Sequence, residues 1–218
     1  MKNSKEYSAK MKKLYLALKK EHAKPHKVSY DEPLDAIVYA IVSQNITESA
    51  ANSAMKRLRD YFIDLNDLRV SRIEEIVEQL DGEVAAAKST AVALVALLRA
   101  IFEKFNVVTL EVVKKMAKKP ARQMIGKFVI DNRFVVDYCM LTALKGHAIP
   151  LTNQMIITLK AGGLADPEAS HEEIEGFLAR QVSAENAYEF YTLLRRWCER
   201  GKIEQVKEAK PKAKAGKK

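Results

Sequence analysis

The sequence predicts an all-α protein. Its apolar residues recur mostly at the three- and four-residue spacing of a helix buried on one side, and the alternating patterns that mark β-hairpins are missing. The 218 residues include only 8 Gly and 6 Pro, which fall mostly between the periodic stretches. With 48% hydrophobic and 30% charged side chains, the chain can bury one compact core or two small ones. This composition excludes collagen-like, disulfide-scaffold and low-complexity proteins.

The first strongly apolar helix is predicted at residues 34–42, directly after the start signal Glu32–Pro33. Its aliphatic residues fall on one stripe, which predicts a buried face. Thr47 is a candidate N-cap for a second helix that reaches Phe62. Further helical patterns cover residues 72–80, 85–105, 109–117, 134–143, 153–161, 171–180 and 185–199. The junction at residues 145–147 is the expected passage from one helical lobe to another.

The basic charge lies mainly at the two ends of the chain. The 37 Lys and Arg exceed the 28 Asp and Glu, which gives a formal net charge of +9. Residues 1–27 carry nine Lys against two Glu, and residues 202–218 carry seven Lys against two Glu. Between these ends, only the stretch 114–133 is strongly basic, with seven Lys and Arg against Asp131. A polyanion, such as nucleic acid or an anionic membrane surface, is the natural partner to test, and we expect phosphates at this basic stretch.

The tail at 202–218 alternates Lys with Ala, Pro and Gly and offers little to bury, so it is expected to be disordered. Its lysines either add nonspecific affinity for nucleic acid or serve only to solubilise the protein.

Metal and membrane roles are not expected. Cys139 and Cys198 are too few for a disulfide scaffold or for an all-cysteine zinc or iron–sulfur site, and the four histidines form no metal-spaced pair. No apolar run approaches the roughly 20 residues of a membrane span, and the Lys-rich start lacks the apolar part of a signal peptide. We expect a cytoplasmic protein, nucleoid-associated if bacterial, without cofactor or membrane partner.

Three groups of polar residues are candidates for binding or chemistry. Gln44, at the end of the first helix, either hydrogen-bonds base edges from a base-sized hole or is a solvated C-cap. Asp137, in an apolar helix, is either a carboxylate with a perturbed pKa or a residue of the wet face. Arg195, Arg196 and Trp197 either stack on bases or close a core with solvated arginines, and the core interpretation is favoured.

The order of these segments resembles the helix-hairpin-helix DNA glycosylase superfamily, in particular its endonuclease III branch. Four segments carry the resemblance and span nearly the whole core. They are Pro33–Glu48 (PLDAIVYAIVSQNITE), Lys127–Leu144 (KFVIDNRFVVDYCMLTAL), Ala148–Gln154 (AIPLTNQ) and Tyr191–Cys198 (YTLLRRWC). The resemblance implies two lobes, one at 28–146 and a discontinuous one at 1–27 and 147–201.

The family's active-site positions hold other residues here. Phe134 stands where the family has its Schiff-base lysine, and Thr152 stands 18 residues later, where the family has its aspartate. Ile130 and Asn132 match the two hairpin glycines, and of these only Asn tolerates a left-handed turn well. No cysteine follows Cys198, so the family's iron–sulfur cluster is not expected. The resemblance therefore implies a base-excision-repair scaffold without glycosylase or lyase chemistry.

The expected function is binding of duplex DNA, intact or damaged, by a monomer. Gln44 matches the family's base-inserting glutamine, and Arg133 its hairpin arginine. The expected DNA-binding residues are Gln44, Lys114, Lys115, Lys118, Lys119, Lys127, Asn132 and Arg133. One alternative is a monofunctional glycosylase that uses a displaced carboxylate, with Asp137 as the best candidate and Asp35 next. Another is a protein- or RNA-binding module that reuses the same face.

Overall fold

The computed structural model describes residues 4–80 and 82–201, and every regular element in these ranges is helical. The α-helices are α1 (Ser4–Glu21), α2 (Pro33–Ser43), α3 (Glu48–Tyr61), α4 (Leu65–Val70), α5 (Ile73–Gln79), α6 (Val84–Phe105), α7 (Lys118–Phe128), α8 (Arg133–Thr142), α9 (Asn153–Ala161), α10 (His171–Ala179) and α11 (Ala187–Glu199), with a 3₁₀ turn at Glu111–Lys115. The prediction of an all-α fold is confirmed. The Lys-rich tail at 202–218 lies outside the described residues.

Side-chain caps explain where several helices begin. The Glu32 carboxylate accepts a hydrogen bond from the amide of Leu34 at the start of α2. Thr47 caps α3 as predicted, and Asn132 and Thr152 cap α8 and α9 through their side-chain oxygens. Each cap satisfies a backbone N–H that the first helical turn would otherwise leave without a partner.

The structure differs from the sequence prediction around residues 109–128. The helix predicted at 109–117 is only a 3₁₀ turn, because Glu32 accepts hydrogen bonds from the Thr109 hydroxyl at 2.9 Å and the Leu110 amide at 2.8 Å and fixes the segment in another conformation. The pattern also misses α4 and α7. In α7 the only buried residues are Ala121, Ile125 and Gly126, which give too weak an apolar stripe to recognise.

Helix α2 is the centre of the core. Ten of its eleven residues are buried, and it packs against α3, α6 and α8. A second set of contacts joins α11 to α1, α8 and α9. This packing brings the C-terminal end of α2 close to the N-terminal ends of α8 and α9, where the polar candidates lie.

Helix α6 corrects one expectation from the sequence. It has 22 residues, and its most apolar 18-residue window has a mean hydropathy of 1.7, so by length and composition it could cross a membrane. The buried core helices of globular proteins can have the same length and hydropathy. Leu94, Leu98 and Ile101 of α6 are fully buried, and the helix packs against α2, α4, α5 and α7.

Arg195 on α11 is buried, with 3% of its surface exposed, which corrects the expectation of a solvated arginine. Its guanidinium donates hydrogen bonds to the carbonyl of Ser43 at 2.7 Å and that of Ile46 at 3.1 Å. It also donates to the Tyr191 hydroxyl at 2.9 Å and to the Glu199 carboxylate at 2.8 Å. One side chain thus fixes the chain that leaves α2. Trp197 packs half-buried against the core, as predicted.

Replacing Arg195 by Met should destabilise the fold by about 3 kcal/mol, because two buried carbonyls and a carboxylate lose their donors. The measurement is the free energy of unfolding from urea titration. The neighbouring Arg196→Met is the matched control. Arg196 is 41% exposed and pairs with Glu48, so its loss should change stability by less than about 1 kcal/mol. Equal effects of the two substitutions would contradict the role assigned to Arg195.

Candidate nucleic-acid interface

A cleft of about 340 Å³ opens where α2 ends and where α8, α9 and α10 begin. It brings together Gln44, Asn132, Arg133, Phe134 and Thr152, which the sequence analysis places in separate segments. The other lining residues are Asn45, Ile130, Leu151, Asn153 and His171. Seven of the ten lining residues have polar side chains, four of them carboxamides. The lining therefore offers many hydrogen-bonding groups and no carboxylate.

Gln44 and Asn132 form a bridge across one wall of the cleft. The side-chain NH₂ group of Asn132 donates to Gln44 Oε1 at 2.7 Å. The side-chain oxygen of Asn132 accepts from the backbone N–H of Val135 at the start of α8. Asn132 therefore both caps a helix and orients Gln44. Gln44 Oε1 can accept a second hydrogen bond, and the Gln44 NH₂ group remains able to donate to a ligand.

The turn between α7 and α8 has a left-handed backbone at two residues that are not glycine. Ile130 has φ 51° and Asp131 has φ 53°, whereas Asn132 has φ −64°. Asn132, which tolerates a left-handed backbone better than Ile130 does, is instead used as the N-cap of α8. The backbone N–H of Asp131 donates to the Gly126 carbonyl at 2.8 Å, and the backbone N–H of Asn132 donates to the Val129 carbonyl at 3.1 Å.

Phe134 and Thr152 both line the cleft, but neither side chain supplies a carboxylate, a general base or an amine. Phe134 is 4% exposed, and the Arg195 guanidinium lies 5.7 Å from its ring centroid. Thr152 is also buried, and its hydroxyl oxygen accepts from the Met155 amide at 3.2 Å. Both side chains are thus engaged in packing or capping.

Asp137 does not line the cleft. It is 1% exposed and lies in an ion cluster with Arg122, Arg133 and Glu175. Arg122 contacts the carboxylates of both Asp137 and Glu175, and Arg133 donates to Glu175 at 3.0 Å. The cluster ties α7, α8 and α10 together behind the cleft.

Burial raises the pKa of Asp137 to about 8, and the neighbouring Glu175 carboxylate adds to this rise. Burial also acts on Glu175, but its hydrogen bond with Asp137 and the two arginines lower the pKa of Glu175 overall. Asp137 therefore holds the proton of the pair at neutral pH. A protonated, enclosed carboxyl group cannot act as a general base on a water molecule in the cleft.

The basic stretch 114–133 divides into paired and free cations. Lys114 donates to Glu111 and to the Asp31 carbonyl, both at 2.9 Å, and Lys118 donates to the Leu144 carbonyl. Arg133 is held by Glu175 and lies 3.7 Å from Glu172. All five lysines of the stretch are exposed, and Lys115, Lys119 and Lys127 are the three that are not held by such a contact. Lys119 and Lys127 have no hydrogen bond or ion pair with any residue that the structure describes.

His171 and Asn153 are cleft residues that the sequence analysis does not select. His171 is the first residue of α10, and burial lowers its pKa, so its imidazole is neutral at pH 7. Asn153 is the first residue of α9. Both follow a Ser or Thr N-cap, and polar residues directly after such caps are a signal that could have pointed to them.

The chain shares the fold of the helical DNA glycosylases. A trapped covalent complex of endonuclease III with DNA, containing an estranged adenine, matches 90% of this chain and 86% of its own at 14% identity and a TM-score of 0.64. A non-covalent endonuclease III–DNA complex gives the same coverage at 15% identity and a TM-score of 0.65.

The 8-oxoguanine glycosylase/lyase of Clostridium acetobutylicum, bound to double-stranded DNA with cytosine opposite 8-oxoguanine, is a third similar structure. The match covers 92% of this chain and 71% of the glycosylase/lyase chain, at 14% identity and a TM-score of 0.68. No family model and no curated protein matches the sequence. The likeness is therefore one of fold.

The Asp137 proton should make stability depend on pH. The folded chain holds this proton up to about pH 8, whereas the unfolded carboxyl group releases it near pH 3.8. The folded state thus binds more protons in this window, and the free energy of unfolding falls as pH rises. Glu175, with a lowered pKa, acts in the opposite direction and only at more acidic pH.

Asp137→Asn keeps a hydrogen-bond donor without the titration. Relative to wild type, this variant should gain stability from pH 5 to pH 8 by up to about 1.4 kcal/mol per pH unit. Urea denaturation at four pH values measures the slope. Asp60→Asn, at an exposed position of α3, controls for the loss of one carboxylate. A wild-type slope retained by Asp137→Asn would show that another group carries the proton.

Proposed function

We propose that the protein binds duplex DNA through the cleft and the surface around the α7–α8 turn, and that it lacks the glycosylase and lyase chemistry of the superfamily it resembles. One observation carries the second part of this proposal. Phe134 and Thr152 line the cleft at the positions where that chemistry needs an amine and a carboxylate. The cleft lining contains no carboxylate and no lysine.

The cleft lining suits a nucleic acid. Carboxamides at Gln44, Asn45, Asn132 and Asn153 can donate to and accept from base edges and sugar oxygens. The Gln44–Asn132 bond orders one of these amides before a ligand binds, which lowers the entropy cost of forming a contact.

Exposed lysines provide the expected affinity for phosphate. Lys119 and Lys127 lie near the two ends of α7 and have no ion pair with a described residue, and Lys115 ends the preceding 3₁₀ turn. Lys114, Lys118 and Arg133 contribute positive potential but are already paired within the protein. Each lysine that neutralises a phosphate releases counterions and adds to the salt dependence of binding.

We further propose that the chain works as a monomer of two lobes, 28–146 and the discontinuous 1–27 with 147–201, and that degenerate helix-hairpin-helix geometry at α7–α8 presents the DNA-binding surface. The packing of α1 on α11 supports the second lobe. The cleft takes residues from both proposed lobes, including Gln44 from one and His171 from the other.

Incubation with duplexes that carry a panel of base lesions, followed by hot alkali, should give no strand cleavage above the level without protein. Borohydride should trap no covalent complex, because position 134 offers no amine. Cleavage that is present in wild type and lost in Asp137→Asn would support the alternative of a monofunctional glycosylase and overturn this part of the proposal.

Binding should weaken when Lys119 and Lys127 are both replaced by Ala, and the slope of log K against log salt should fall by about 2. The matched control is Lys56→Ala with Lys88→Ala, which removes two exposed lysines from α3 and α6. Fluorescence anisotropy with a labelled duplex measures both quantities. A flat salt dependence in wild type would contradict DNA binding itself, whereas equal slopes for both double variants would remove the basic stretch from the interface.

A further inference from the structure

Ile130 is an unusual residue at the tip of the α7–α8 turn. Its side chain is 90% exposed, and its φ of 51° lies in the left-handed region. A β-branched residue is strained there, because its Cβ crowds the neighbouring carbonyl oxygen, and glycine would relax the turn. Neither the burial of the side chain nor its backbone conformation explains an isoleucine at this position.

The turn itself is tightly fixed. The amides of Asp131 and Asn132 donate to carbonyls of Gly126 and Val129, so both are engaged within the turn. At Gly126 an added Cβ atom would lie 2.9 Å from an Asp131 carboxylate oxygen, so the Asp131 side chain packs closely against α7. The turn therefore holds the exposed apolar side chain of Ile130 in a fixed orientation, and the left-handed backbone at Ile130 lowers the stability of the fold. Such strain is characteristic of functional sites.

The surroundings of Ile130 indicate what it contacts. It lines the same cleft as Gln44, and in sequence it follows the exposed Lys127 and precedes the exposed Asp131 and the half-exposed Arg133. An exposed apolar tip near unpaired lysines such as Lys119 and Lys127 of α7 is suited to DNA, because the lysines can hold phosphates while the apolar group reaches the bases. Proteins that bind the minor groove insert Ile, Leu, Phe or Met between base steps in this way.

We propose that Ile130 is a wedge that inserts between two adjacent base pairs and unstacks them when the protein binds duplex DNA. This role rests on the proposed function and adds a second point of insertion to the cleft surface, beside Gln44. The turn between α7 and α8 then holds DNA by an apolar contact instead of by its amides. Deforming the duplex at Ile130 also opens the stack next to the cleft.

Ile130→Gly separates this role from a structural one, because the two roles predict opposite results for stability and binding. Glycine relieves the left-handed strain, so the melting temperature should rise by about 2–4 °C. Affinity for duplex DNA should fall by at least about tenfold, since the buried apolar contact with the bases is lost. Ile130→Asn, which tolerates the same φ and keeps a side chain, should lose affinity as well.

Asp131→Gly is the matched control. Asp131 is also exposed and left-handed, so this substitution should raise the melting temperature similarly while leaving affinity unchanged or stronger, because a negative charge is removed. A duplex containing 2-aminopurine reports the unstacking directly. Its fluorescence should increase on binding of wild type and Asp131→Gly, and should not increase with Ile130→Gly.

Wild-type affinity in Ile130→Gly, or the same fluorescence increase with both glycine variants, would overturn the wedge while leaving DNA binding intact. If wild type itself does not bind the duplex, the proposed function fails, and the wedge fails with it. Weaker binding by Ile130→Gly together with a lower melting temperature would also count against the wedge, because it would show that Ile130 stabilises the fold.

Discussion

The geometry of the cleft depends on the hydrogen bonds of one buried arginine. Arg195 reaches from α11 to the carbonyls of Ser43 and Ile46 and so holds the chain on both sides of Gln44. Glu199, one turn later, accepts from both Arg195 and the Glu48 amide, which fixes the start of α3. Together with the Asn132–Gln44 hydrogen bond, these contacts fix the segment that carries Gln44. The cleft is thus positioned by the far end of the sequence.

Much of the fold follows from local sequence signals. The aliphatic stripe of α2, the Thr47 cap and the periodicity of α6 and α8 depend on neighbouring residues, so they can be recognised without a structure. The segment at 109–117 could not be predicted, because a distant carboxylate at Glu32 determines its conformation. For the same reason the sequence could not show that Arg195 is buried, since its partners are about 150 residues away.

The candidate site was predictable in position and less so in detail. The segment order brings Gln44, Phe134 and Thr152 to one cleft, as the resemblance implies. The state of Asp137 was not predictable, because its pKa depends on Arg122 and Glu175, which lie on two other helices. At the turn, Asn132 has the higher propensity for a left-handed backbone, but it caps α8, and Ile130 and Asp131 take that conformation instead. Tertiary demands here override local preference.

The central position of α2 has a consequence for synthesis of the protein. Its apolar surface is covered largely by α8, whose residues follow about 100 positions later in the chain. During translation at about 5–20 residues per second, this helix therefore waits several seconds for its main partner. The nascent chain meanwhile exposes one of its most apolar segments. The time for which this segment stays exposed during synthesis is set by its distance from α8 along the chain, whatever the stability of the finished fold.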